Sequence, residues 1–140
     1  MNDPADQDER GGASAGEHGC PFCSDAFRAA AVARLGTVLA VPDVRPVSPG
    51  HLLVLPVRHT PDFFTMTDQE HRDTLELVRR LREKALAEDP TVTGFNVGAN
   101  CGASAGQRIL HAHVHFIPRR DADASNGRGV KGVIRNKMTY

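Results

Sequence analysis

Residues 111–119 read HAHVHFIPR, with an imidazole at every second position: His111, His113 and His115. Imidazole is the side chain best suited to chemistry near neutral pH. It binds metals, moves protons and, when neutral, attacks electrophiles. Side chains of a β-strand alternate faces with a period of two. The three rings are therefore predicted to line one face, roughly 7 Å apart at about 3.3 Å of rise per residue. Ala112, Val114 and Phe116 fall on the other face and can rest on a core. A row of histidines on a buried sheet face needs partners, a metal or a substrate. One metal-binding pair plus a structural His would satisfy the same pattern.

Two further groups of residues have the right types for chemistry. The loop GANCGASAGQ runs directly into the histidine segment. Glycines 98, 102 and 106 let backbone N–H groups approach a phosphate closely, and Gln107 can donate its amide to a phosphate oxygen. Upstream, Cys20 and Cys23 have the CxxC spacing of half a zinc site. A redox role is the alternative, but no thioredoxin-like βαβ pattern surrounds them. Cys101 has no second CxxC to recruit it and reads as a spectator thiol. His51 follows Gly50 at the start of a strand, as a member of the site or as a surface residue at a strand end.

The elements that position these residues follow from local pattern. His51–Val57 and Phe95–Ala99 read as strands. Thr67 and Glu70 form a capping box, which opens a helix running to about Glu88. Its apolar positions Leu75, Val78, Leu81, Ala85 and Leu86 make one stripe. Between Ala26 and Val41 two readings stay open. Alanine favours a helix from Ala26 to Leu35. The short β-branched run TVLAV favours a hairpin around Arg34-Leu35-Gly36, with strands near Ala30–Ala33 and Thr37–Val41, and this is preferred for the later half. The end, GRGVKGVIRNKMTY, has no clear period. Strands, one helix, then strands predict an α+β fold, an antiparallel sheet covered by a helix on one face.

Composition narrows the class. The 140 residues suit one domain, with residues 20–140 folded behind an acidic, disordered tail at 1–19. Five acids and one Arg give that tail about −4, which leaves about +4 for the rest, since the formal net charge is zero. A mildly basic body suits an anionic substrate, but no aromatics interleave with the Arg and Lys residues, so nucleic acid is not the expected partner. No apolar run approaches the ~20 residues of a transmembrane helix, and the N-terminus lacks the basic and apolar regions of a secretory signal. The expected location is cytoplasmic, and an odd cysteine count argues against a disulfide framework.

Together the motifs CPFC, PVSPGHLLVLPVRH, FNVGANCGASAGQ and HAHVHFIPRR occur in the order of the histidine triad (HIT) family. The chain resembles that family from Cys20 to Tyr140, nearer its bacterial diadenosine polyphosphate hydrolase-like branch. The resemblance implies a nucleotide hydrolase or transferase that cleaves at the α-phosphorus of a nucleoside 5′-phosphate derivative. His113 would be the nucleophile, forming a nucleotidyl-imidazole that water then resolves. His115 and His51 would assist. Asp43 would hold the ribose hydroxyls, Gly106 and Gln107 the phosphate, and Asn96 would help bind the substrate. The zinc-bearing members of the family match Cys20, Cys23, His59 and His111, a closed and therefore structural site. No organic cofactor is implied, and a homodimer is.

Two departures from the family pattern stand out. Arg108 replaces the usual Ser or Thr, and would either hold a longer polyphosphate or point away. The segment DADASNGRG (121–129) also differs. Two rival readings remain: a non-catalytic nucleotide-binding or regulatory module with the same cradle, and a hydrolase whose three triad histidines bind a catalytic metal.

Overall fold

The computed structural model describes residues 19–126; residues 1–18 of the acidic segment and the end at 127–140 lie outside the described residues. Five antiparallel strands form one sheet in the order β1-β2-β3-β5-β4. They are β1 (Ala33–Leu35), β2 (Val38–Pro42), β3 (Leu52–Pro56), β4 (Val92–Gly98) and β5 (Val114–Arg120). A short helix α1 (Asp25–Ala29) precedes the sheet, and the long helix α2 (Asp68–Glu88) joins β3 to β4 across it. This is the α+β sheet-and-helix arrangement expected from the sequence.

Both readings of the Ala26–Val41 stretch contribute. Ser24 caps α1 by accepting from the Phe27 N–H at 3.1 Å, and the helix stops after five residues. A hairpin follows, but its turn is Gly36-Thr37, since Leu35 pairs with Val38. The shift has a tertiary cause. Asp73 of α2 accepts from both the N–H and the hydroxyl of Thr37, each at 2.8 Å. Gly36 sits at φ +54°, and a Cβ there would collide with the Asp73 carboxylate. The turn forms where the helix can hold it.

The capping box of α2 forms as expected, with Thr67 and Glu70 each closing the other's backbone donor. Glu70 also takes two hydrogen bonds from Arg58, at 3.0 and 2.9 Å. This ties the helix start to the segment that carries His59. The predicted apolar stripe holds in part: Leu81 is buried and Val78 packs against the core, whereas Leu75 and Leu86 are exposed and Leu77 is buried in addition. The face against the sheet begins with the polar residues Glu70, Asp73 and Thr74, so counting apolar residues alone misplaces its start.

The sheet separates two cores. Val38, Ala40, Val54 and Phe116 meet Leu77 and Leu81 of α2 on one face. Leu39, Val41, Leu53 and Leu55 meet Phe22 of the N-terminal segment on the other. His115 pairs with Leu53 in the β3–β5 ladder, so it belongs to the face away from α2. The histidine strand also begins later than expected. β5 starts at Val114, and His111 and His113 belong to the segment that enters it. That departure frees His111 to turn elsewhere.

Truncating Leu77 should cost about 2–5 kcal/mol, because its neighbours are held by the sheet and cannot close the gap. Chemical denaturation of Leu77→Ala measures it, and a loss below about 1 kcal/mol would mean that α2 is not anchored there.

Candidate active site and metal centre

Each histidine in the site can carry one proton on one of two nitrogens, and the surrounding peptide groups decide which. His113 is buried, with its Nδ1 2.7 Å from the backbone carbonyl of His111. A carbonyl can only accept, so Nδ1 bears the proton and Nε2 keeps the lone pair. Burial pushes the His113 pKa down, opposed by this hydrogen bond and by the negative charge of Asp43. The ring therefore stays neutral near pH 7. Phe22 packs edge-on against it, with centroids 5.1 Å apart.

His51 and His115 form a second pair. The backbone N–H of Val47 donates to His51 Nδ1 at 3.0 Å, which places the His51 proton on Nε2. That Nε2–H lies 3.0 Å from His115 Nδ1. It donates there, so the remaining proton of His115 is on Nε2. The His113 and His115 rings are edge to face, 5.3 Å between centroids. One ring thus carries a lone pair at Nε2 and the neighbouring ring a proton at Nε2.

Cys20, Cys23, His59 and His111 converge on a third centre, with donor atoms within 4.8 Å of one another. His111 Nε2 donates to the Pro56 carbonyl at 2.9 Å, leaving its Nδ1 lone pair turned to the sulfurs of Cys20 (3.6 Å) and Cys23 (3.5 Å). His59 Nδ1 is 3.4 Å from the Cys23 sulfur. A tetrahedral zinc with Zn–S near 2.3 Å and Zn–N near 2.05 Å would separate sulfur from nitrogen by about 3.6 Å. Burial lowers the His111 pKa to about 4, so this ring too is neutral and able to ligate.

A family model for the HIT domain matches residues 27–122. The chain belongs to the HIT family. It is 39% identical over 98 residues to a protein of Mycobacterium tuberculosis named AP-4-A phosphorylase, covering 67% of this chain and 48% of that one. It is 36% identical over 83 residues to the asymmetrical bis(5′-nucleosyl)-tetraphosphatase of Schizosaccharomyces pombe, covering 59% and 45%. The chain thus spans about half the length of these two relatives. A Zn-bound histidine triad family protein from Mycobacterium smegmatis superposes with a TM-score of 0.69 at 25% identity, over 89% of this chain and 96% of that one.

In this HIT domain the remaining candidates fall in different places. Asn96 lies on β4 opposite Ile117, two positions from the Gly98–His115 pair and on the same face. Arg119 donates to its Oδ1 at 3.1 Å, which fixes the amide orientation and turns the Nδ2 donors away from Arg119. Arg119 was not among the sequence candidates, although it ends the quoted HFIPR run. Gly106, at φ +94°, closes the turn before Gln107. The Gln107 side chain is spent inside the loop: it donates to the carbonyls of Pro61 (2.6 Å) and Ile109 (3.0 Å) and accepts from the Gly102 N–H (2.8 Å). Arg108 is exposed and lines an open cavity of about 380 Å³ with Cys20, His59 and Leu110, beside the Cys/His group. Asp43 is buried behind His51, and Cys101 is a free thiol in the loop.

The lowered His111 pKa has a stability consequence. The unfolded chain binds a proton on this ring below about pH 6.5, and the folded chain does not until about pH 4. Metal-free protein should therefore lose stability as pH falls through that window. Urea midpoints measured from pH 7 to 4 test this, and a level profile would show that the ring is not buried neutral.

Proposed function

We propose that this HIT protein is a nucleotidyl hydrolase or transferase. Its substrates are nucleoside 5′-phosphate derivatives, a diadenosine polyphosphate or a phosphoramidate, cleaved at the α-phosphorus. The observation that carries this reading is the fixed proton arrangement of the buried pair. His113 presents a lone pair at Nε2 while its neighbour His115 presents an N–H. The His113 lone pair attacks phosphorus, a P–N bond forms, and the bond to the leaving group breaks. Positive charge arises on the His113 ring, and its Nδ1–H remains on the His111 carbonyl. His115 donates from Nε2 to the leaving atom, as a hydrogen bond to a phosphate oxygen or as a proton transferred to a phosphoramidate nitrogen. Water then attacks the phosphorus and gives up a proton to His115 or to solvent, the electron pair of the broken P–N bond returns to His113 Nε2, and the monophosphate leaves.

The loop before the triad supplies phosphate contacts through its backbone N–H groups. Gln107 acts as the tie that shapes that loop, and Asn96 offers its Nδ2 donors from β4. Names of relatives support a nucleotide substrate, one a tetraphosphatase and one an AP-4-A phosphorylase. Cys20, Cys23, His59 and His111 would hold a zinc ion. The donor types and the separations of 3.4–3.6 Å fit it, and four protein ligands leave no open position. When bound, the ion supplies cross-linking between the N-terminal segment and the triad segment, not a reaction site. A homodimer completes this reading, with β4 at the edge of the sheet.

The test is release of nucleoside monophosphate from diadenosine polyphosphates, an adenosine phosphoramidate and dinucleotides. Wild type should release it, and His113→Ala should lose more than about 10³-fold in kcat while keeping its fold. Acid-quenched wild type should carry a nucleotidyl mass on the His113 peptide. Binding of a monophosphate with no turnover of any substrate would favour the non-catalytic module instead.

Metal content separates the structural site from a catalytic one. Purified protein should hold one zinc per chain, retained in His113→Ala and lost in Cys23→Ala with a lower Tm. Zinc retained without the cysteines but lost with His113 would support a metal bound by the triad.

A further inference from the structure

We infer that Cys20 and Cys23 are an oxidation site: a hydroperoxide joins them in a disulfide, and this loosens the metal centre and His113 together. The inference goes beyond the zinc site proposed above and rests on it. The two thiols are unequally open. Cys23 is buried, whereas Cys20 is half-buried and lines the open cavity of about 380 Å³ with Gly19, Pro21, His59 and Arg108. Hydrogen peroxide, with two oxygens against the one of water, enters a cavity of that size. The pair is also close enough to join. The Cys23 N–H donates to the Cys20 carbonyl at 3.1 Å, which closes a turn and keeps the two Cα atoms within about 7 Å, the reach of a disulfide. Both sulfurs belong to the group whose donor atoms lie within 4.8 Å of one another, and Cys101 does not.

The peroxide is the oxidant. The Cys20 thiolate attacks one peroxide oxygen and the O–O bond breaks. The other oxygen leaves as hydroxide and takes up a proton (an organic hydroperoxide releases an alcohol instead). Cys20 is then a sulfenic acid. The Cys23 thiolate attacks its sulfur, an S–S bond forms, the S–O bond breaks, and a second hydroxide leaves to become water. The two thiolates have given up two electrons, and the peroxide has accepted them. A disulfide offers no thiolate to a metal, so His59 and His111 remain as the only ligands of the group.

The turn that carries the pair also carries a wall of the active site. Phe22 lies between the two cysteines, stacks on Phe27 at 4.6 Å and meets the His113 ring edge-on at 5.1 Å. Drawing the two sulfurs together moves the turn Pro21–Cys23 and this ring with it. The second route is His111, whose Nδ1 faces both sulfurs and whose carbonyl holds the His113 proton. Oxidation removes the ring's partners on that side, while the Pro56 carbonyl still holds the other. The tautomer of His113 is therefore reached from two directions.

The test treats zinc-loaded protein carrying Cys101→Ser with hydrogen peroxide, so that only one pairing of thiols is possible. A chromogenic chelator should record release of the bound zinc, and a peptide map should show the bridge between Cys20 and Cys23. Nitrogen-15 NMR should take His113 from protonation at Nδ1 alone to a mixture of tautomers. Release of nucleoside monophosphate should fall in step, and dithiothreitol with zinc should restore every reading. Cys20→His keeps four nitrogen or sulfur donors but only one thiol of the pair, so it should hold its zinc through the same treatment. Cys23→His serves if that variant does not fold. Zinc retained and both thiols free, at a peroxide dose that oxidises Cys101 in the wild type, would overturn the inference. So would zinc loss from Cys20→His at the wild-type rate. A bridge with an unchanged His113 spectrum would overturn the link to the nucleophile. If wild type turns over no substrate the functional reading fails, and if it is purified without zinc the metal reading fails. In either case the bridge and the His113 spectrum still decide the oxidation site.

Discussion

A neutral imidazole has one proton and two nitrogens, and every histidine chemistry in this fold depends on which nitrogen has it. Three backbone groups make that choice. The His111 carbonyl holds the His113 proton on Nδ1, the Pro56 carbonyl holds the His111 proton on Nε2, and the Val47 N–H keeps His51 Nδ1 bare. Only the Pro56 carbonyl belongs to a strand; Val47 lies in the connection before β3 and His111 in the segment before β5. The backbone, more than any side chain, is therefore the part of the site that assigns roles. It leaves His113 with a free Nε2 toward one side and His111 with a free Nδ1 toward the sulfurs.

The fold supplies those peptide groups from distant parts of the chain. Pro56 ends β3, Val47 lies in the β2–β3 connection, and His111 lies 55 residues beyond Pro56. The ladder between β3 and β5 brings them together by pairing Leu53 with His115. A slip of one residue in that ladder would turn His115 toward α2 and break the His51 contact. Two devices resist the slip. The cores on the two faces have different occupants, and Gly50 at φ +93° lets the chain enter β3 with Pro118 against it. Ser48 adds a hydrogen bond to the Pro118 carbonyl, which fastens the same corner.

What could be read in the sequence was what is local. The capping box of Thr67 and Glu70, the break at Asp89-Pro90, the strand through HLLVLP and the spacing of the histidines need only near neighbours. Features set by tertiary contact were not legible. Asp73 fixes the Gly36-Thr37 turn, and polar Glu70, Asp73 and Thr74 occupy the buried face of α2, so hydrophobic periodicity found Val78 and Leu81 but also took in the exposed Leu75 and Leu86. The occupied amide of Gln107 and the enclosure of Asp43 by His51 are of the same kind. Each depends on a partner that spacing alone does not identify. The resemblance of motifs named these residues, but only geometry shows what their donors and acceptors are already doing.

The segment His111-Ala112-His113 joins the two centres through one peptide group. The ring of His111 turns to the cysteines, and its carbonyl holds the proton of the next histidine. Ala112, fully buried, fastens the middle by donating to the Thr60 carbonyl at 2.7 Å. A hydrogen bond of 2.7 Å loses most of its strength if the acceptor moves by an ångström. Any ion that fixes the His111 ring therefore also fixes the carbonyl that keeps His113 in its nucleophilic tautomer. In the proposed reading the metal has no part in the reaction, yet the nucleophile's orientation depends on it through the His111 peptide. On that reading a closed metal site two residues from His113 would steady the ring, where an open one would compete for the same lone pairs.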